Sequence, residues 1–280
     1  MRRALVVGAG GQLGRALVAT APAGVAVTAL DRAGLDVTDA AWVASTVAAL
    51  APDVVLNASA WTAVDAAEHD EAGAFAINAA GAGHLADACA AMGARLVHVS
   101  TDYVFDGSSS APYRTTDEPA PLNAYGRTKL AGERAVLARS SGALVIRTSW
   151  LYAAGGTNFV RTMLRVLRER GVARVVADQR GSPTWARGLA EAMWAAAVRT
   201  DVTGVAHWSD EGVASWHEFA VAVAEEGVAL GLLPGGERVE PIVSHEWPQP
   251  ALRPRWSVLD PGDFPARIGV VRRPWREQLR

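Results

Sequence analysis

A single cysteine, Cys89, stands in 280 residues, so no disulfide can form within the chain, and a reducing compartment, the cytoplasm, is the simplest expectation. No apolar run approaches the ~18 residues that a membrane helix needs, so no membrane partner is expected. Residues 1–7 pair two arginines with a short apolar stretch, as a secretory leader does. The stretch stops at Gly8, however, and no small-residue cleavage site follows. An excess of charge is missing as well. The 27 basic and 29 acidic residues leave a net charge of −2, which gives no reason to expect nucleic acid or an anionic surface as a partner. The six histidines lack zinc-like spacing, so no metal site is expected. Internal repeats, heptad runs and long low-complexity tails are absent. What remains is a chain that is 50% hydrophobic and long enough to bury one large domain, or a main domain with a smaller lobe.

The first motif follows the apolar run Arg3 to Val7. The segment Gly8-Ala9-Gly10-Gly11-Gln12-Leu13-Gly14 leads directly into helix-like residues 15–20. Strand, glycine loop and helix together form the context of a dinucleotide site. Glycines allow the tight turn and the close approach of pyrophosphate, and the helix N-terminus turns free N–H groups toward it. The spacing is G-x-x-G-x-x-G, one residue wider at the first step than the common fingerprint. A glycine-rich turn that binds nothing would share this pattern, but the next feature favours a site. A second strand over residues 25–30 ends in Asp31-Arg32, about 20 residues after the glycines. There the carboxylate suits ribose hydroxyls and hence NADH, while Arg32 leaves NADPH open. Asp36-Val37 precedes an alanine-rich helix; Asp36 suits either the adenine amino group or the helix cap.

A third strand, Asp53 to Asn57, runs into the small-residue loop Ala58-Ser59-Ala60-Trp61-Thr62. Ligands of open α/β sheets lie beyond the carboxyl ends of the strands, so this loop is placed to line the cofactor. Helical segments follow near 68–78 and 82–92. The fourth strand, Arg95 to Val99, ends in Ser100-Thr101-Asp102-Tyr103-Val104-Phe105. Alternation of this kind predicts a doubly wound parallel α/β sheet. The stretch Asn123-Ala124-Tyr125-Gly126-Arg127-Thr128-Lys129 then opens a helix to about Arg139, with Asn123 as its cap. Tyr125 and Lys129 are four apart and share a helix face. An ammonium near a phenol favours the phenolate, so Lys129 is expected to lower the Tyr125 pKa. An exposed Tyr and Lys on an ordinary helix would show the same spacing. Its value lies in what precedes it, and in the strand Leu144 to Thr148 that follows.

Taken together, these motifs resemble the extended short-chain dehydrogenase/reductases, with their Rossmann fold, and within them the dTDP-4-dehydrorhamnose reductase family. The similarity rests on Gly11-Gln-Leu-Gly14, Asn57-Ala-Ser-Ala-Trp-Thr62, Ser100-Thr-Asp-Tyr-Val-Phe105 and Pro121 to Glu133. It continues through Arg147 to Tyr152, Asn158-Phe159, Asp178 to Thr184 and Pro248 to Pro254, and so spans essentially the whole chain. The resemblance implies Thr101, Tyr125 and Lys129 as catalytic residues. It implies a cofactor, NADH or NADPH, held by Gly8, Gly11, Gln12, Leu13, Gly14, Asp31, Arg32, Asp36, Val37, Ala58, Ala60, Trp61, Thr62 and Val99, with Tyr125 and Lys129. It implies a dTDP-linked 4-keto-6-deoxysugar held by Thr101, Asp102, Tyr103, Trp150 and Asn158. Arg253 is a candidate for the diphosphate, since guanidinium matches phosphate bidentately, and Arg255 a weaker one.

Two positions depart from the family. Members can join subunits through magnesium held by two glutamates; those places hold Ala16 and Arg187, which cannot ligate Mg²⁺. A monomer or a metal-independent homodimer is therefore expected. Residues 1–150 should form the cofactor domain, rejoined by about 172–200. Residues 151–171 and 201–280 should form a smaller C-terminal α/β substrate lobe. A sugar-nucleotide dehydratase would need an acidic pair after the threonine, and Asp102 is followed by Tyr103. Two other readings stay open: a 4-ketoreductase for another dTDP-deoxysugar, and a non-catalytic regulatory subunit of the same fold.

Overall fold

The computed structural model describes residues 1–280. Its centre is a six-stranded parallel sheet built from β1 (Arg3–Val7), β2 (Ala26–Leu30), β3 (Val54–Asn57), β4 (Arg95–Thr101), β5 (Leu144–Thr148) and a late strand, β10 (Gly204–His207). Spatially the order is β10-β5-β4-β3-β1-β2. After β2 the chain crosses to the other side of β1 to lay down β3, and this switch in strand order creates the crevice where such sheets bind ligands. Helices α1 (Gln12–Ala19), α2 (Ala40–Leu50), α3 (Val64–His69), α4 (Glu71–Phe75), α5 (Gly81–Met92) and α6 (Ala124–Arg139) connect the first strands.

The four inner strands, β1, β3, β4 and β5, are buried on both faces, and their side chains alternate between two cores. Val6, Leu56, Val97 and Ile146 pack with Leu13 and Leu17 of α1. Leu5, Val7, Val55 and Val145 pack on the other side with Val43 and Val47 of α2 and Leu85 of α5. A buried ion pair ties α6 to β5: Arg147 donates through Nε and Nη2 to the two Glu133 oxygens at 2.9 and 2.7 Å. Asn123 caps α6 as expected, with Oδ1 accepting from Gly126 N at 2.8 Å.

After β5 come β6 (Leu151–Tyr152), α7 (Phe159–Arg170), β7 (Val172–Val176), β8 (Arg180–Gly181), β9 (Thr184–Trp185) and α8 (Ala186–Ala197). Following β10 are β11 (Ala214–Ser215), α9 (Trp216–Ala229), β12 (Arg238–Ile242), α10 (Phe264–Ile268) and α11 (Trp275–Leu279). The expected division of the chain shifts in two places. β7 does not rejoin the main sheet; it pairs in parallel with β12 and packs under α7 and α9. Conversely, β10, expected in the lobe, extends the main sheet beside β5. The return is made by α8, whose Leu189 and Met193 enter the α1-side core and whose Trp194 Nε1 donates to Leu17 O at 2.9 Å. Ser215 forms a capping box with Glu218 at the start of α9. No helix is long and apolar enough to cross a membrane.

Candidate active site

The glycine loop joins β1 to α1 by a turn that excludes side chains. Gly8 has φ +80°, and a Cβ there would lie 2.6 Å from Ser59 N. A Cβ on Gly14 would lie 2.2 Å from Gly8 O, so Gly14 serves helix–strand packing and does not line the cleft. No side chain caps α1, and its first turn holds no acidic residue. Its leading N–H groups are thus free for an anion, which fits a dinucleotide pyrophosphate.

A cavity of about 500 Å³ opens beside this turn, lined by Gly8, Gly11, Asp31, Arg32, Asp36 and Val37 and by the loop Ala58, Ala60, Trp61 and Thr62. Gly10 of the glycine loop and Ser59 of the small-residue loop line it too, as do Leu35 and Ile77, which sequence reasoning missed. Asp39, not Asp36, caps α2, accepting from Trp42 N at 2.9 Å. That leaves Asp36 in the cavity wall, where Thr38 N and Oγ1 donate to it and hold its carboxyl below the usual range. Asp31 Oδ1 accepts from Ala33 N and Gly34 N, which fixes the turn after β2.

A second cavity, about 320 Å³, continues from the first along Gly11, Ala58 and Thr62 to Gln12, Leu13, Val99, Thr101, Tyr125 and Lys129. Ser100 Oγ and Thr148 Oγ1, at the ends of β4 and β5, face it buried and without a protein partner, which suits a polar ligand. Thr101 Oγ1 donates to Asp102 Oδ1 at 3.0 Å and also meets the Tyr125 hydroxyl. Burial raises the Asp102 carboxyl to about 7, against hydrogen bonds that favour its charge.

The expected link between Lys129 and Tyr125 is not what the structure has. Lys129 Nζ donates to Val99 O at 2.6 Å and lies 3.4 Å from His98 Nε2. Burial pushes the Tyr125 phenol up to about 12, partly countered by the Thr101 hydrogen bond, with no relief from Lys129. The same burial pulls Lys129 down to about 8, partly countered by Glu133. Helical spacing puts both residues on one face, but desolvation outweighs their attraction and the amine turns to a carbonyl. Lys129 is also the only lysine in the chain; every other Lys or Arg position is arginine. A compact, titratable amine is kept here alone, where a guanidinium would stay charged.

Beyond Tyr125 the cleft widens into the lobe. A space of about 260 Å³ is bounded by Thr101, Asp102, Tyr103, Tyr125, Trp150 and Trp216. Trp150 stacks on Trp216 with centroids 3.6 Å apart and planes 7° apart. Trp150 holds φ +47°, a strained conformation for a non-glycine residue and one found at functional sites. A further cavity of about 400 Å³ shares Tyr103, Phe159 and Trp216 and adds Gln179, Trp247 and Arg253. Trp216 was missed because, in the sequence, it is only the first residue of a capped helix.

Two substrate candidates are otherwise engaged. Arg253 Nη2 donates to Asp65 Oδ2 at 2.8 Å, so its charge is already partly neutralised, although it still lines the cavity. Asn158 caps α7 by accepting from Arg161 N, and its Nδ2 donates to Gln12 Oε1 at 2.9 Å and Ala153 O at 2.8 Å. It borders none of these cavities and holds Gln12 in place of reaching a sugar. Arg255 is exposed, 3.6 Å from Asp178. Asn78, in the π-helical turn at 76–80, is another residue missed. Its Oδ1 accepts from Trp61 N at 2.8 Å and its Nδ2 donates to Thr128 Oγ1 at 3.0 Å, clamping the cofactor loop to α6.

The pattern of the RmlD substrate binding domain family matches residues 1–280. A dTDP-4-dehydrorhamnose reductase of Streptomyces griseus is 46% identical over 99% of this chain and 91% of its own. The chain belongs to the dTDP-4-dehydrorhamnose reductase family. A dTDP-4-keto-6-deoxy-D-glucose reductase of Streptomyces niveus is 43% identical, over 92% of this chain and 88% of its own. Among solved structures, the family's Bacillus anthracis member, in complex with NADP, superposes with TM-score 0.92 at 36% identity, covering 99% of this chain and 97% of that one. Ala16 packs against the α1-side core, and Arg187 Nε donates to Glu191 Oε1 at 3.0 Å.

Proposed function

We propose that this protein reduces the C4 carbonyl of dTDP-4-dehydro-L-rhamnose to give dTDP-L-rhamnose, using NADH or NADPH. The reading rests on one observation. A single cleft runs from the glycine loop, past Lys129, Tyr125 and Thr101, into an aromatic chamber of the lobe. It has room for a dinucleotide at one end and a nucleotide-linked sugar at the other, with the only Tyr–Lys pair where they meet.

In this scheme the glycine loop and α1 amides hold the pyrophosphate, and Asp31 and Asp36 border the adenosine end. The reduced nicotinamide supplies the hydride that C4 accepts. Tyr125 gives its phenolic proton to the carbonyl oxygen as that oxygen gains charge. A phenol raised to about 12 is fully protonated at neutral pH, the form that reduction needs. Thr101 would turn its hydroxyl proton from Asp102 to the same oxygen, a contact that strengthens as negative charge develops. Lys129, its amine held on Val99 O, would hold the nicotinamide ribose. Trp150 and Trp216 wall the sugar, and Tyr103 with Arg253 leads toward the nucleotide.

Incubating the purified protein with the dTDP-4-ketosugar and NADH or NADPH tests the reading. Loss of reduced-nicotinamide absorbance, with a product whose C4 configuration by NMR is that of rhamnose, is expected. Failure to turn over with either cofactor, in protein shown to bind both ligands, would overturn it. The Streptomyces niveus relative gives a second reading, in which the preferred ketosugar has the D-gluco-derived configuration. Comparing kcat/KM for the two sugars decides between them.

A further inference from the structure

Behind Lys129 lies a buried histidine that the reaction scheme does not use. His98, in β4, is fully buried. Its Nδ1 meets Asn57 Nδ2 at 2.9 Å and its Nε2 meets Lys129 Nζ at 3.4 Å. Asn57 cannot turn over freely. Its Oδ1 already accepts from Ser59 N at 3.0 Å and Ser59 Oγ at 2.6 Å, so the amide nitrogen must face the imidazole. Nδ1 therefore accepts, and the proton of the neutral ring sits on Nε2, aimed at the lysine. An ammonium has three donors and no lone pair, whereas a neutral amine can accept that N–H while still donating to Val99 O.

We propose that His98 is a positioning residue for Lys129: locked by Asn57 as the Nε2–H tautomer, it points a donor at the lysine amine and favours its neutral form. The charged and titratable groups around that amine are few. Glu133 lies one turn on in α6 and favours the ammonium, but it is committed to Arg147 of β5. Tyr125 lies one turn before and is neutral at working pH. His98 faces Lys129 from β4, and its own charging is opposed by burial and by the lysine. The arrangement places the one lysine of the chain where it gains and loses a proton easily, next to a phenol that must be reprotonated after each turnover. This function for the amine rests on the ketosugar reading above; the tautomer and its coupling to Lys129 do not.

Because Lys129 is the only lysine, protein labelled with ¹⁵N-lysine carries one side-chain amine signal, and ¹⁵N-histidine labelling reports both nitrogens of His98. The proposal expects a single ring proton on Nε2 and no ring titration between about pH 6 and pH 9. It also expects the Nε2 signal to shift with the same inflection as the Lys129 amine. A histidine that only fills space would not track that inflection. His98→Asn keeps an amide for Asn57 but withdraws the donor from Lys129. It should move the lysine inflection, and with it the alkaline limb of kcat/KM, up by about half a pH unit or more. A proton found on Nδ1, or an Nε2 signal blind to Lys129, overturns the proposal. Should His98→Asn fail to fold, the wild-type spectra alone decide. These spectra need no turnover, so a failure of the ketosugar reading leaves them interpretable.

Discussion

Replacing Lys129 by methionine should stabilise the fold while abolishing turnover. Lys129 is 1% exposed, and burial lowers its amine from 10.5 to about 8. At ~1.4 kcal/mol per pH unit, this depression means that the folded protein holds the ammonium at a cost of ~3 kcal/mol relative to water. Methionine has a similar length and no charge. It forfeits the Nζ–Val99 O bond, worth ~1 kcal/mol net, leaving a gain of ~2 kcal/mol at neutral pH. The sign with pH follows from proton uptake. Below about 8 both states keep the proton, so the full cost is present. Between about 8 and 10.5 the unfolded chain still binds a proton that the folded protein has released, so the wild type gains stability as pH rises. Urea denaturation at about pH 7 and pH 9.5 should therefore show Lys129→Met ahead by ~2 kcal/mol at the lower pH and by much less at the higher. Cofactor binding should weaken in the same protein. A variant less stable than wild type at pH 7, or a gap indifferent to pH, would refute the reasoning.

Other consequences can be checked separately. Asp31→Ala should weaken NADH more than NADPH in a binding titration, since a carboxylate bonds a ribose hydroxyl and repels a phosphate; equal losses would show that Asp31 only fixes its own turn. Asp102→Asn should raise the melting temperature at pH 8 more than at pH 5. The folded carboxyl titrates at about 7, above its ordinary 3.8, so the folded state holds the extra proton and stability is lost as pH rises through that window. Scanning calorimetry at the two pH values checks this. EDTA should change neither activity nor molecular mass by light scattering, because Ala16 and Arg187 offer no oxygen ligands; a mass that halves would contradict it.

Much of the cofactor end was legible because its signals are local. Strand, glycine loop, helix and a terminal acid follow one another in sequence, and their packing in the sheet is dictated by alternation. The helix that carries Tyr125 and Lys129 was legible for the same reason, through its cap Asn123. Long-range pairing was not. Nothing local distinguishes β7, which joins β12, from β10, which joins β5, since both are short and largely apolar. The direction of Lys129 was also hidden: spacing fixes a helix face, whereas burial against Val99 and His98 sets the charge balance. Trp216, Asn78 and His98 act through partners distant in the chain, so no motif marks them. Asn158 shows the converse, a motif position whose side chain makes a cap and a bond to Gln12.

The central claim is that Tyr125 delivers the proton to the reduced carbonyl. Single-turnover kinetics of Tyr125→Phe, with saturating cofactor and ketosugar, test it most directly. The phenylalanine keeps the ring that packs edge-on against Tyr103, centroids 5.8 Å apart, and removes only the hydroxyl. General acid catalysis is worth ~10²–10⁴-fold, so hydride transfer should slow by at least ~10²-fold while NADH affinity holds. A rate within tenfold of wild type, with chemistry still rate-limiting, would contradict the account and pass the proton to Thr101 or to water.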